Sequence, residues 1–133
     1  MDEPRTKPDY TYQAIIQEPS DIYDGDTFTV DLRLGFNVVL RHQKLRLYGI
    51  DTPEVRGDEK VEGKKVRDWV RHELGRHIKF AKPIIIQSYR DKSGKYGRWL
   101  ATVWYQPECY PGEGWRNLNT FLVAEGYAKA VDY

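Results

Sequence analysis

Thr27-Phe28-Thr29-Val30-Asp31-Leu32 alternates polar and apolar side chains at the period of two expected of a half-buried strand. The turn signal Asp24-Gly25-Asp26 precedes this run, and Gly35 breaks it. Upstream, residues 1–9 form a Pro-broken lead-in. Tyr10 to Glu18, with the β-branched pair Ile15-Ile16, then predicts a first strand. Downstream, Val38-Val39-Leu40 and Leu45 to Ile50 read as one or two further strands, ended by Pro53. From Asp58 to Gly75 the period changes. Val66, Trp69, Val70 and Leu74 fall at helical spacing, Lys64, Lys65, Arg67 and Arg71 mark the wetter face, and Gly75 is placed to stop the helix. Ile78 to Tyr89 returns to strand around Ile84-Ile85-Ile86, and Trp99 to Tyr105 is its partner across the turn Asp91-Lys92-Ser93-Gly94. After a Pro- and Gly-rich loop, Asn117 is placed to cap a last helix over Leu118 to Ala124, which Gly126 ends. The expectation is one mainly β (α+β) domain over residues 10–133. It is a small closed or partly open five-stranded barrel, most simply an OB-fold, with one inserted and one C-terminal helix.

Composition narrows the function classes. No apolar run approaches the ~20 residues of a membrane helix, so no membrane partner is expected. The start, Met1-Asp2-Glu3-Pro4-Arg5, is acidic and is not followed by the apolar stretch of a secretory signal. The expectation is a cytoplasmic or phage- or plasmid-encoded protein, or a secreted one already trimmed. Cys109 is the single cysteine, which excludes an intramolecular disulfide and a thiolate metal cage. The net charge of +1 is far from the basic footprint of a tight, non-specific nucleic-acid binder. A functional argument must therefore rest on local constellations.

Three of them stand out. Asp24-Gly25-Asp26-Thr27 is either a tight turn or a carboxylate, Asp26, offered to a hard cation at the mouth of a strand. In Arg46-Leu47-Tyr48-Gly49-Ile50-Asp51-Thr52-Pro53-Glu54, period two sends Leu45 and Leu47 to one face and Arg46 and Tyr48 to the other. An Arg in so apolar a strand needs a partner, and Asp51 and Glu54 follow where the strand gives way to a turn. Lys95-Tyr96-Gly97-Arg98 is a basic turn whose glycine allows a ligand to approach the backbone. Together they cover what phosphodiester hydrolysis needs. Asp26 and Asp51 are oxygen donors for Ca²⁺ or Mg²⁺, Glu54 is an acid free to work on water, and Arg46 and Arg98 can grip phosphate oxygens in pairs.

In this order, Asp-Gly-Asp-Thr, Arg-Leu-x-Gly-Ile-Asp-Thr-Pro-Glu and Lys-Tyr-Gly-Arg resemble the staphylococcal nuclease (thermonuclease) family, from about Tyr12 to Ala130. The resemblance implies an OB-fold Greek-key barrel and Ca²⁺-dependent endonucleolytic hydrolysis of DNA and RNA that leaves 3′-phosphates. It implies Asp26, Asp51 and the main-chain carbonyl of Thr52 as calcium ligands, with Asp24 as an acid standing behind them. Glu54 would be the general base or water-orienting acid, and Arg46 and Arg98 would hold the scissile phosphate. Lys95 and Tyr96 would contact a terminal nucleotide phosphate. Nucleic acid is the implied partner, and a monomer the default. The alternative is a barrel of this kind that binds nucleic acid or protein without cutting; the full set of acids and arginines stands against it.

The chain also departs from the family. Phe36 to Lys44 lengthens the hairpin before Arg46, and Arg41, His42 and Lys44 there either extend a nucleic-acid track or are simply solvated. Asp132 falls where the family has a nucleotide-contacting tyrosine. His42, His72 and His77 suit no zinc motif. Trp69, Trp99 and Trp104 read as core, while Tyr110 and Trp115 lie in a loop, available either to stack on bases or to pin it.

Overall fold

The computed structural model describes residues 11–89, 98–107 and 114–131. Its elements in chain order begin with β1 (Thr11–Ile15), β2 (Ile22–Asp24), β3 (Thr27–Gly35), β4 (Val38–Leu47) and β5 (Ile50–Asp51). Then come α1 (Lys60–Glu73), α2 (Gly75–Lys79), β6 (Ile84–Ser88) and β7 (Trp99–Tyr105). β8 (Arg116–Asn117), α3 (Leu118–Ala124) and β9 (Lys129–Ala130) complete them.

Among the described residues β1, β6, β7, β4 and β3 pair in that order, and β1 pairs again with β3, which closes the five into a barrel. All these ladders are antiparallel except β4 with β7, where Leu45 lies opposite Trp99 and Leu47 opposite Ala101. The mainly β barrel of the OB type is thus present. Its interior is filled by the strands' alternate residues, among them Ala14, Phe28, Val30, Leu45, Leu47, Ile84, Ile86 and Val103. α1 adds Val66 and Val70 to the same core, and α3 adds Leu118 and Leu122. Asn117 caps α3 as expected, its side chain accepting from the Thr120 N–H at 3.1 Å.

Three expectations are corrected. Gly75 does not stop helical structure: α1 ends at Glu73, and Gly75 opens the short α2, so the strand expected from Ile78 starts only at Ile84. Val38 to Leu47 is one strand, and Ile50–Asp51 is a separate one beyond a turn at Gly49, whose φ is 80°. Trp99 is not core: it is 47% exposed, with its indole N–H donating to Gln43 Oε1 at 3.2 Å. Strand alternation buries a side chain only where something covers that face, and the start of β7 lies at the barrel's rim.

The long β3–β4 hairpin is pinned where it leaves the barrel. Its register slips between Val30↔Gln43 and Leu32↔Leu40, a β-bulge with His42 at φ 57°. Asp31, opposite the slip, accepts the His42 N–H at 3.0 Å and Gln17 Nε2 at 2.9 Å. Burial opposes the charge on Asp31. Those two hydrogen bonds and the charge of Arg41 nevertheless hold its carboxyl below the usual value.

Candidate active site

The site begins at the β2–β3 turn. Asp24 pairs with Thr27 across it, and Gly25 lies where a side chain could not. A Cβ on Gly25 would stand 2.7 Å from Val66 Cγ1 of α1 and 3.0 Å from Thr52 Cγ2. Turn, helix and the 52 segment therefore meet at one point. Asp26, 2% exposed, is held on both oxygens: Oδ1 accepts from Thr27 Oγ1 at 3.1 Å, and Oδ2 accepts the Thr52 N–H at 3.1 Å. The Asp26 carbonyl also accepts the Leu47 N–H at 2.9 Å, which ties the turn to the end of β4.

Arg46 is directly opposite Thr27 in the β3–β4 ladder. Its Nη2 sits 3.2 Å from Asp26 Oδ2 and 3.0 Å from Asp51 Oδ1, and 3.3 Å from the Ile50 carbonyl. Two carboxylate oxygens that are 25 residues apart in sequence thus converge on one nitrogen. Asp51 is held there by β5, which pairs with β9 through Ile50↔Ala130 and Asp51↔Lys129.

Glu54 is exposed, just after Pro53, and its placement is set by α1. Its N–H donates to Glu59 Oε1 at 3.2 Å. Gly63, in the second turn of α1, lies so close that a Cβ there would fall inside the Glu54 carbonyl group. Arg98 precedes β7, and the parallel β4–β7 register sets it alongside Lys44. Arg46, Glu54 and Arg98 share an open cleft of about 450 Å³ with Asp24, Lys44 and Tyr23. The structure thus brings together Asp24, Asp26, Arg46, Asp51, Thr52, Glu54 and Arg98. Lys95 and Tyr96 lie outside the described residues, as do Tyr110 and Asp132. Trp115 is exposed, its ring 6.0 Å from that of His77.

Two buried acids, Asp24 and Asp26, stand together at the turn. Burial, and then the hydrogen-bonded and charged neighbour Asp26, push the Asp24 carboxyl up to about 7. Thr52 Oγ1 is buried with no hydrogen-bond partner. Among the described residues no three His, Cys, Asp or Glu side chains come together as a metal cluster. The donor set here is two converging carboxylates with main-chain oxygen close by. That set of oxygen donors suits a hard cation such as Ca²⁺ and not a softer transition metal.

Lys44, read either as extending a nucleic-acid track or as simply solvated, lines the cleft on the face it shares with Arg46 at a spacing of two. Three residues that shape the site carried no assigned role in the sequence reading. Gly63 interrupts a helix in which Ala would be favoured, which also hints at close packing. Tyr23 lines the cleft with the Arg56 guanidinium 5.9 Å from its ring centroid. Asn119 gave no signal. It is buried on α3, where Oδ1 accepts the Val103 N–H at 3.1 Å while Nδ2 donates to the carbonyls of Tyr48 and Ala101 at 2.9 and 3.1 Å. It therefore ties α3 to β7 and to the turn that leads into Asp51.

Comparison with known proteins agrees with this geometry. The family described as staphylococcal nuclease homologue matches residues 44–133. A thermonuclease of Staphylococcus intermedius is 30% identical over 115 residues, covering 84% of this chain. The chain spans 57% of that relative's length.

Proposed function

This chain belongs to the staphylococcal nuclease family, and from that membership and the geometry of the cleft we propose that it is a nuclease hydrolysing phosphodiester bonds of DNA and RNA with Ca²⁺. The observation that carries the proposal is the convergence of Asp26 Oδ2 and Asp51 Oδ1 on Arg46 Nη2, at the edge of a cleft that also holds Glu54 and Arg98.

In this reading Asp26 and Asp51, with the carbonyl of Thr52, hold the calcium ion. When bound, Ca²⁺ supplies fixed positive charge to the phosphate and a site for the attacking water. Arg46 and Arg98 bind the phosphate's non-bridging oxygens and offset the charge that builds on them during attack. Glu54, exposed and within the same cleft, takes the proton of the water that attacks phosphorus. The bond to the 5′ oxygen breaks and that oxygen takes up a proton from solvent water, leaving a 3′-phosphate and a 5′-hydroxyl. Asp24 stands behind Asp26 and accepts its N–H at 3.3 Å, which helps to hold the turn in place. Arg46 would meet the phosphate from its place beside both of the carboxylates that would hold the cation.

The test is cleavage of single-stranded DNA with Ca²⁺, with Mg²⁺ and with EDTA, alongside Glu54→Gln. Cutting that requires Ca²⁺ and falls at least about a hundredfold in the variant is the expected result for a general base. Oligonucleotide binding without cutting under every condition would replace this reading with that of a non-cleaving binding module.

A further inference from the structure

Beyond the bulge at His42, the β3–β4 hairpin leaves the barrel. β1 pairs with β3 only as far as Gln13↔Arg33, and every residue from Arg33 to His42 is exposed. The projecting part is apolar. Leu34, Phe36, Val38, Val39 and Leu40 are all exposed large hydrophobics, and Phe36 is 99% exposed. An apolar patch of this kind at the end of a projecting element marks an interaction surface.

The backbone at the tip makes the same point independently. Gly35 pairs with Val38, and Phe36 and Asn37 between them have φ of 54° and 63°. This two-residue turn favours Asn, Asp or Gly, and a bulky side chain at positive φ is strained. Phe36 accepts that strain while packing on nothing among the described residues.

Charge identifies the partner. From Leu32 to Leu47 the sequence has Arg33, Arg41, Lys44 and Arg46 and no Asp or Glu, in a chain whose net charge is only +1. Arg46 is committed to Asp26 and Asp51, and Arg33, Arg41 and Lys44 are exposed. Asp31, the acid just before this stretch in sequence, has its oxygens already taken by His42 and Gln17. A second copy docking by this tip would set Arg33 and Arg41 against their own counterparts. Nucleic acid would meet the basic residues but leave five apolar side chains in water. An anionic bilayer meets both: the three residue steps from Arg33 to Phe36 reach about 10 Å at strand rise, the depth of the headgroup–acyl boundary.

We propose that the β3–β4 hairpin docks this protein on an anionic lipid bilayer, with Phe36 and its apolar neighbours in the headgroup–acyl boundary and Arg33 and Arg41 on the lipid phosphates. The protein lies on the membrane and does not span it; among the described residues no helix is long and apolar enough to cross one. The proposal does not depend on the nuclease reading.

The test is co-sedimentation of the whole chain with vesicles of phosphatidylcholine alone and of phosphatidylcholine with one quarter phosphatidylglycerol. Binding to the anionic vesicles alone, weakened by salt, is expected. Phe36→Gly, which relieves the turn, should melt at or above the wild-type temperature yet bind at least about tenfold more weakly. Arg33→Gln and Arg41→Gln should each cost about fivefold. Absence of binding, equal binding to both vesicle types, or unchanged binding by Phe36→Gly overturns the proposal. So does a wild-type dimer that Phe36→Gly dissociates, or oligonucleotide affinity lost in the arginine variants, when vesicles are not bound.

Discussion

Asn119→Ala should be among the most destabilising single substitutions outside the apolar core. Asn119 is 4% exposed and makes three hydrogen bonds to main chain, at 2.9 to 3.1 Å. Ala101 O keeps a second donor, the Tyr48 N–H at 2.8 Å. Val103 N–H and Tyr48 O each lose the Asn119 side chain as partner. A net hydrogen bond is worth about 1 kcal/mol, and a buried group left unsatisfied costs roughly 1–3 kcal/mol. Loss of one bond each to Ala101 and Tyr48, with the buried Val103 N–H left unsatisfied, comes to about 3–5 kcal/mol, a large part of the ~5–15 kcal/mol that holds a domain together. At this chain length that is roughly 12–20 °C in Tm. Urea unfolding followed by circular dichroism should show a lower midpoint at unchanged slope. Asn119→Asp keeps the acceptor but loses both donors and buries a charge, so it should be no milder. A loss below about 1 kcal/mol for Asn119→Ala would refute the reasoning, since a relaxed backbone or entering water would then be satisfying those groups.

Gly63→Ala should lower stability by about 1–3 kcal/mol, against the ~1 kcal/mol that helix propensity favours, because its Cβ collides with the Glu54 carbonyl. Its cleavage rate should fall as Glu54 shifts; an Ala variant as stable and as active as wild type would contradict the packing. Asp26→Asn should weaken Ca²⁺ binding measured by titration calorimetry at least tenfold, roughly the value of one charge-assisted contact. Arg98→Ala should lower both rate and oligonucleotide affinity, whereas Glu54→Gln lowers rate alone; the KM-against-kcat split separates them. His77 is buried, its Nδ1 facing the Lys82 carbonyl at 3.1 Å and its Nε2 accepting the Gln106 N–H at 3.0 Å. Burial outweighs those contacts and lowers its pKa below 6.5. Its contribution to stability is therefore complete above pH 6.5 and is lost as pH falls from there toward the folded-state pKa. The urea midpoints of wild type and His77→Gln should differ most above pH 6.5 and converge below it.

Much of this protein could be read from sequence because the deciding signals are local. The period of two over Thr27 to Leu32, the helical spacing of Val66, Val70 and Leu74, and the cap at Asn117 each follow from neighbouring residues, and each is present in the structure. The three short motifs likewise singled out acids and arginines that the fold brings together around one cleft. Tertiary structure alone decided the rest. That Asp26 and Asp51 face a single nitrogen of Arg46 depends on ladders joining β3 to β4 and β5 to β9, and no local pattern encodes such distances. The value of Gly63 and Asn119 lies in which backbone arrives against them from elsewhere in the chain. Trp99 reads as core in sequence and is exposed in the fold, as is the apolar strand segment Val38 to Leu40. Alternation states which residues share a face of a strand, and only the packing of the other elements determines whether anything covers that face.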